Sequence, residues 1–426
     1  MVRMISGETG FSEFEMDLEE FEIQKIGKFS RIWNLGHGGS VIGKPIFLNE
    51  KIYFGCRDSH IYSVAAETGK ELWRFRTGGP IAGPISVFEG IVFAGNEEGY
   101  LYAVDVERGK LLWRFRTGGE IFGKPCKYKE IVYTGSKDGY VYALNMKTGK
   151  IIWKFKTGDM IAACPCEYNG KIYIGSFDEY FYCLDAETGR EIWRFKTGEE
   201  IWSPVRFQVI NGILYFGSFD NYLYAVEAET GKEKWRFRTG KLGNSSGPVL
   251  HKGVLFYGSR DGIMYALKEE SGKEIWRFQI GEEEIITQIA LVNDDKLYFG
   301  AGDCNFYCLD TETGKEIWRF RTDGVIYSSP TLWKDRIYFG CWDCHLYCLD
   351  LNGKELWRFA TSTLVQAKLP PVMEDFEFVI KKSVSETEEK EEEKYELTSL
   401  EERESQYSVK TEYVMKSEYK QESEYK

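Results

Sequence analysis
Ten cysteines and four histidines are few enough to follow one by one, and several that suit a metal recur at matching places in a chain that repeats itself. Cys341 and Cys344 form a C-x-x-C within GCWDCHLYC, with His345 directly after them. Cys304 and Cys308 lie in GDCNFYC one repeat earlier, and Cys56 and His60 lie in GCRDSHIYS near the start, with His37 upstream. Thiolate and imidazole in this mixture suit zinc by ligand type. Cys56, His60, Cys304, Cys341, Cys344 and His345 therefore define one candidate sector. The repeats also supply a plainer account. Cys183, Cys308 and Cys348 stand where Ala103, Ala143, Ala225 and Ala266 stand, and Cys56 and Cys341 stand where Ser136, Ser176, Ser218 and Ser259 stand. His60 and His345 replace Tyr100, Tyr140, Tyr180 and Tyr222. Small core thiols explain this pattern, so no metal site is favoured. Only Cys304 and Cys344 fall in turn slots often held by Gly.

Other strings with a catalytic look resolve in the same way. Gly243-Asn244-Ser245-Ser246-Gly247 matches G-x-S-x-G, but it falls in a strand-to-strand loop, whereas a nucleophile elbow needs a strand-turn-helix setting. The series Asp58, Glu98, Asp138, Asp178, Asp220, Asp261, Asp303 and Asp343 recurs once per repeat, which points to a side chain bonding its own turn. No catalytic residue is assigned. Binding chemistry is expected where the repeats diverge while their frame stays constant. Those positions are Lys44, Phe122, Lys124, Trp202, Asn244, Gln288 and Tyr327, against Ala82, Ala162 and Gly83 elsewhere. Aromatic rings, amides and two cations around one opening would suit a small anionic or planar molecule. Basic pairs such as Arg74 and Arg76, Arg114 and Arg116, and Lys154 and Lys156 form a belt that reads as protection of exposed strand edges.

The frame is set by tryptophan. Trp33, Trp73, Trp113, Trp153, Trp193, Trp235, Trp276, Trp318 and Trp357 are spaced by 40, 40, 40, 40, 42, 41, 42 and 39 residues, a period that signals a solenoid, propeller or array. Within one period, PISVF, IVFAG, YLYAV and LLWRFRTG are short runs of β-branched and aromatic residues separated by turn residues. They predict four strands, A to D, with Trp on D. A Gly four residues before the Trp recurs at Gly69, Gly109, Gly149, Gly189, Gly231, Gly272, Gly314 and Gly353, as expected of a positive φ. Trp73, Trp113, Trp153, Trp193, Trp235, Trp276, Trp318 and Trp357 are expected to dock on the neighbouring repeat. Eight A-to-C units predict an all-β, eight-bladed β-propeller of four-stranded antiparallel blades. Two strands compete to finish the eighth blade. The run LDLNGKELWRF favours Trp357, and Trp33 is the alternative.

The turn strings AETGKELW, MKTGKIIW, AETGREIW, AETGKEKW and TETGKEIW carry a pattern, A-x-D/E-x-x-T-G-K-x-x-W, that resembles the tryptophan-docking motif of the PQQ-like repeat. That repeat is named for the eight-bladed propellers of pyrroloquinoline quinone dehydrogenases. The resemblance spans about residues 30–361 and implies the fold, while similar propellers serve as outer-membrane assembly lipoproteins or as appended domains without quinone. The dehydrogenases share a disulfide of adjacent cysteines and a calcium site. This chain offers only Cys164-Pro165-Cys166 and has no long insertions, so quinone chemistry and a cofactor are not expected.

Charge divides the chain into four parts. The net charge is −12, concentrated in an acidic extension at 1–29 and an acidic low-complexity tail at 383–426, which flank the propeller at 30–361 and a connecting segment at 362–382. A nearly neutral propeller has no general attraction for phosphate backbones, so nucleic acid is not an expected partner. Neither a signal peptide nor an apolar run long enough for a membrane span is visible, and the expectation is a cytoplasmic protein without membrane insertion. The tail places Tyr395, Tyr407, Tyr413, Tyr419 and Tyr425 on a six-residue grid, and its high charge reads as disorder until bound. The function these features suggest is a non-enzymatic scaffold that holds a protein or small-molecule ligand around the central channel. The alternative is a metal- or cofactor-dependent redox enzyme using the Cys/His sector or the channel mouth.

Overall fold
The computed structural model describes residues 14–15, 39–202, 208–244, 246–280, 290–361 and 380–381. Eight four-stranded antiparallel sheets follow one another along the chain, each in the order A-B-C-D. Blade 1 comprises Ile46–Leu48, Lys51–Cys56, His60–Ala65 and Glu71–Arg76; blade 2 runs from Ser86–Phe88 to Leu111–Arg116, and blade 3 from Cys126–Tyr128 to Ile151–Lys156. Blades 4 to 8 open with Cys166–Tyr168, Gln208–Ile210, Val249–His251, Leu291–Asn293 and Thr331–Trp333, and blade 8 ends with Glu355–Ala360. The chain is thus the eight-bladed propeller that the tryptophan spacing and the repeated strand pattern implied. In a separate unit, Met1–Phe21 with Phe376–Lys426, Phe14 and Glu15 pair in parallel with Ile380 and Lys381.

Each blade is built by local hairpins. Strand A turns into B through two residues, and in blade 2 both of them, Glu89 and Gly90, take positive φ (48° and 79°), the primed turn whose twist suits a tight hairpin. Strands B and C are almost wholly buried, while D alternates between half-buried and exposed residues. Every D strand carries a register shift just before its Trp, as between Ala143 and Leu144 where they face Trp153 and Ile151. The core lies between blades. One such layer joins Val41, Ile52, Phe54 and Tyr62 to Tyr338 and Leu346 across the first and last blades.

The docking argument holds at all eight junctions. The Gly four residues before each Trp has φ between 61° and 82°, and a Cβ there would meet the indole of the preceding blade at 2.5–2.8 Å. Glycine is required twice over, by the backbone conformation and by the ring that lies against it. Seven of the indoles donate Nε1–H to a backbone carbonyl of the next blade at 2.9–3.2 Å, as Trp153 does to Ala186. Trp357 packs on Gly69 without that bond.

Closure is settled by Glu355–Ala360, which pairs with His345–Asp350 as the outer strand of blade 8. Trp33 lies outside the described residues. The ring joins where residue 361 leaves and residue 39 arrives. Thr361 Oγ1 donates to Gly39 O at 2.6 Å, the counterpart of Thr77 Oγ1 to Gly79 O at 2.7 Å, where a single residue links the two covalently. Val41 N then donates to Cys341 O at 3.0 Å, as Ile81 N does to Cys56 O at 3.1 Å.

Candidate functional site
The antiparallel order places the loops from D to the next A on the same face as the turns from B to C. Strand A is the innermost strand of each blade, so these loops run inward toward the channel. This channel face is laced by the acidic turn series. Asp138 Oδ1 accepts from Tyr140 N at 3.0 Å, within its own turn, as the sequence indicated. Its Oδ2 accepts from Tyr142 OH at 2.7 Å and from Gly118 N of the preceding blade at 2.7 Å. Asp178, Asp220 and Asp261 repeat all three bonds. The carboxylates therefore also tie neighbouring blades together, a role that one repeat read alone does not reveal. Blade 2 has Glu98 instead, and there Tyr102 OH accepts directly from Gly78 N at 2.9 Å.

Within that lacing, one slot varies freely. The second residue of the B-to-C turn is Arg57, Glu97, Lys137, Phe177, Phe219, Arg260, Gly302 and Trp342 in blades 1 to 8. Blades 1 to 3 form a charged sector. Arg57 pairs with Glu97 at 2.8 Å, and Lys137 pairs with Glu120 at 2.6 Å while its ammonium lies 4.5 Å from the centroid of Phe122. Burial raises the Glu97 carboxyl above its usual range, with Arg57 opposing the shift. An open depression of about 270 Å³ lies beside them, lined by Glu97, Arg116, Glu120 and Lys137 among others.

The remaining blades supply an aromatic sector. Trp202 and Phe219 lie 5.9 Å apart, and the Arg260 guanidinium sits 5.2 Å from the Phe219 ring centroid and 5.8 Å from that of Trp202. Arg260 is only 3% exposed, and desolvation lowers its guanidinium to about 10. Tyr327 meets Trp342 edge-on at 5.2 Å. Of the divergent loop positions, Lys44, Phe122, Lys124, Trp202 and Tyr327 are partly exposed. Gln288 lies outside the described residues.

Asn244 differs from that expectation. It is fully buried, because its backbone N–H bonds Ser218 O in the slot that Ile81, Ile121, Ile161 and Ile201 occupy at other junctions. Its Oδ1 accepts from Thr239 Oγ1 at 3.0 Å and Ser259 Oγ at 3.1 Å, while its Nδ2 finds no partner. Tyr257, also fully buried, stands where Phe54, Phe216, Phe299 and Phe339 stand, and its hydroxyl is likewise unpaired. The two meet beside Gly217, where a Cβ would lie 2.5 Å from both Asn244 Cβ and Tyr257 OH. Each unsatisfied group costs about 1–3 kcal/mol.

The Cys/His residues are spread along the lacing. His60 Nδ1 lies 3.3 Å from Asp58 Oδ1, and His345 Nδ1 lies 3.3 Å from Asp343 Oδ1. Cys56 Sγ donates to Gly39 O and Cys341 Sγ to Gly324 O, each at 3.2 Å. Cys304 and Cys344 take φ of 64° and 69° in the turn slot where Gly99 and Gly139 sit. Among the described residues no three His, Cys, Asp or Glu side chains come together to hold a metal, and all ten cysteines are free of disulfides. Burial raises the thiols: Cys183 and Cys348 to about 12, and Cys308 and Cys344 to about 11. Thiols held neutral in this way are weak nucleophiles.

Comparison with known proteins is consistent with this architecture. Residues 127–388, more than half of the chain, match the family model for the β-propeller of β-alanine-activating enzyme, and residues 57–164 match that of outer membrane protein assembly factor BamB. No curated protein matches in sequence. Among solved structures, the computationally designed Ika8 protein aligns with a TM-score of 0.65 at 16% identity, over 74% of this chain and 98% of its own. BamB from Moraxella catarrhalis aligns with a TM-score of 0.63 at 17% identity, over 72% and 96%. At these identities the two structures speak for the fold alone. The chain belongs to the β-propeller family of β-alanine-activating enzyme.

Proposed function
We propose that this protein is a non-enzymatic binding scaffold that holds a ligand or protein partner on the channel face. The observation that carries the reading is the contrast on that face. The bonds between blades repeat almost unchanged, whereas the free turn slot and the inward loops vary from cation to carboxylate to aromatic ring. A rigid frame with chemically distinct sectors is how recognition is grafted onto a propeller. Trp202, lying over the buried Arg260 guanidinium, offers an aromatic ring, and the partly exposed Glu97 and Lys137 offer polar contacts on the other side. The match to an assembly factor and to the propeller of an activating enzyme supports a role in holding other molecules. The proposal includes cytoplasmic residence, which ten thiols free of disulfides suit.

The test is to purify the untagged chain and the variants Trp202→Ala and Lys137→Ala, and to compare what each retains by native mass spectrometry and cross-linking. Ligands or partners lost from one or both variants support the channel face. An identical set on all three would place binding elsewhere. Stoichiometric metal or a visible chromophore in the wild type would instead favour a redox enzyme.

A further inference from the structure
Strand D is the outermost strand of every blade, and its outward edge pairs with no other strand among the described residues. In six blades strand D opens with Glu, and each of these pairs with the Arg three residues later at 2.6–3.6 Å. A carboxylate at one end and cations at the other discourage an incoming strand of either charge. Blades 2 and 3, which are neighbours, lack this guard: their D strands read LLWRFR and IIWKFK. Leu111 and Leu112 are 44% and 50% exposed, and Ile151 and Ile152 are 49% and 47% exposed. The cations beyond them lie against tyrosine rings. Arg114 and Arg116 are 5.2 and 5.3 Å from Tyr100, and Lys154 and Lys156 are 4.6 and 4.7 Å from Tyr140. Trp113 of blade 2 packs on Gly149 of blade 3, two residues before Ile151, so the two edges form one patch.

We propose that the outer edges of blades 2 and 3 are a docking surface for an extended acidic segment of a partner protein. The segment alternates carboxylate and aliphatic side chains and adds to the sheet as a fifth strand. The bulge just before Trp113 puts Leu111 with Leu112, Arg114 and Arg116 on one side of strand D, opposite Trp113. A partner strand with carboxylates at every second position sets them against Arg114 and Arg116, or Lys154 and Lys156, and the uncharged Leu111 and Ile151 leave that side without the opposing carboxylate of the other six blades. The edge itself supplies backbone donors and acceptors, as in strand addition generally. An anionic lipid surface would meet the same cations and leave those backbone groups without partners, which is why the observations favour a peptide. The surface lies on the rim, away from the channel face, and stands or falls independently of the function proposed there.

The test uses the full chain and a blocked peptide of about eight residues that alternates Val and Glu, long enough to cover one edge. Calorimetric titration is expected to show saturable binding that weakens as ionic strength rises. The double variant Leu111→Glu/Ile151→Glu installs the residue that the other six blades carry, and it should bind about tenfold more weakly while melting as the wild type does. Glu191→Leu extends the unguarded edge to blade 4 and should strengthen binding. A peptide with Lys in place of Glu should not bind. The proposal is overturned if the Glu peptide fails to bind, if the Lys peptide binds as well, or if the double variant binds with full strength. Binding to phosphatidylserine vesicles without binding to the peptide would also overturn it and assign the patch to a membrane surface.

Discussion
Tyr257 and Asn244 put polar atoms into a layer that the other described junctions fill largely with apolar side chains. Tyr257 does not stand out in the sequence, and Asn244, a divergent loop position there, shows no sign of its burial, because the two meet only when blades 5 and 6 pack. The sequence did carry a usable signal, the replacement of Ile by Asn in the loop slot, but the slot's burial became visible only with its bond to Ser218. His345 is the opposite case. Its place in the Tyr slot was legible, and the structure adds the partner, Asp343. The hydrogen bond to Asp343 is the largest influence on the imidazole and raises it above its ordinary 6.5, while burial and Arg358 oppose the shift. A histidine raised on folding adds stability that is fully present below its unfolded value and is lost as pH rises through its folded value. Melting temperatures measured between about pH 5.5 and about pH 8.5 should therefore fall more in the wild type than in His345→Tyr, which carries the residue of blades 2 to 5. Parallel curves for the two proteins would contradict the pairing.

At the scale of the element, the strands follow signals that are local in the chain. Runs of β-branched and aromatic residues between Gly- and Asp-rich turns gave A to D, and the Gly–Trp spacing gave the dock. Contacts that cross blades were not legible, since Asp138 reaching Gly118 belongs to the junction and to neither repeat. The last junction shows the same limit. Trp357 packs on Gly69 like its seven counterparts, yet its indole N–H makes no hydrogen bond. Trp193→Ala should destabilise by about 3–5 kcal/mol, from lost burial and a lost bond. Trp357→Ala should cost less by about 1 kcal/mol, because only burial is removed. Denaturant unfolding of both variants measures the difference, and equal losses would show that the indole bond is worth nothing at the other junctions.

For the whole propeller, the unusual property is that the ring closes without exchanging a strand. Each blade is completed by its own segment, and residue 39 resumes the loop that residue 361 leaves, held by the Thr361–Gly39 bond. A circularly permuted ring, with Thr361 joined to Gly39 through one glycine and new ends opened in the exposed turn at Asn211 and Gly212, should fold to the same strand content. It should melt within about 5 °C of the parent propeller, since the linker copies the Thr77-Gly78-Gly79 geometry. Failure to fold, or loss of strand signal, would mean that the flanking segments contribute more to closure than this junction suggests.

Tension distinguishes this junction from the other seven. Every other pair of neighbouring blades is crossed by the chain itself, so separating them means stretching a covalent tether. Between blades 8 and 1 only side-chain packing and a few hydrogen bonds carry load. A pull applied through the two flanks would be delivered straight to that clasp. Heat samples every junction, whereas force applied at the ends would part this one first and leave eight folded blades in an opened row.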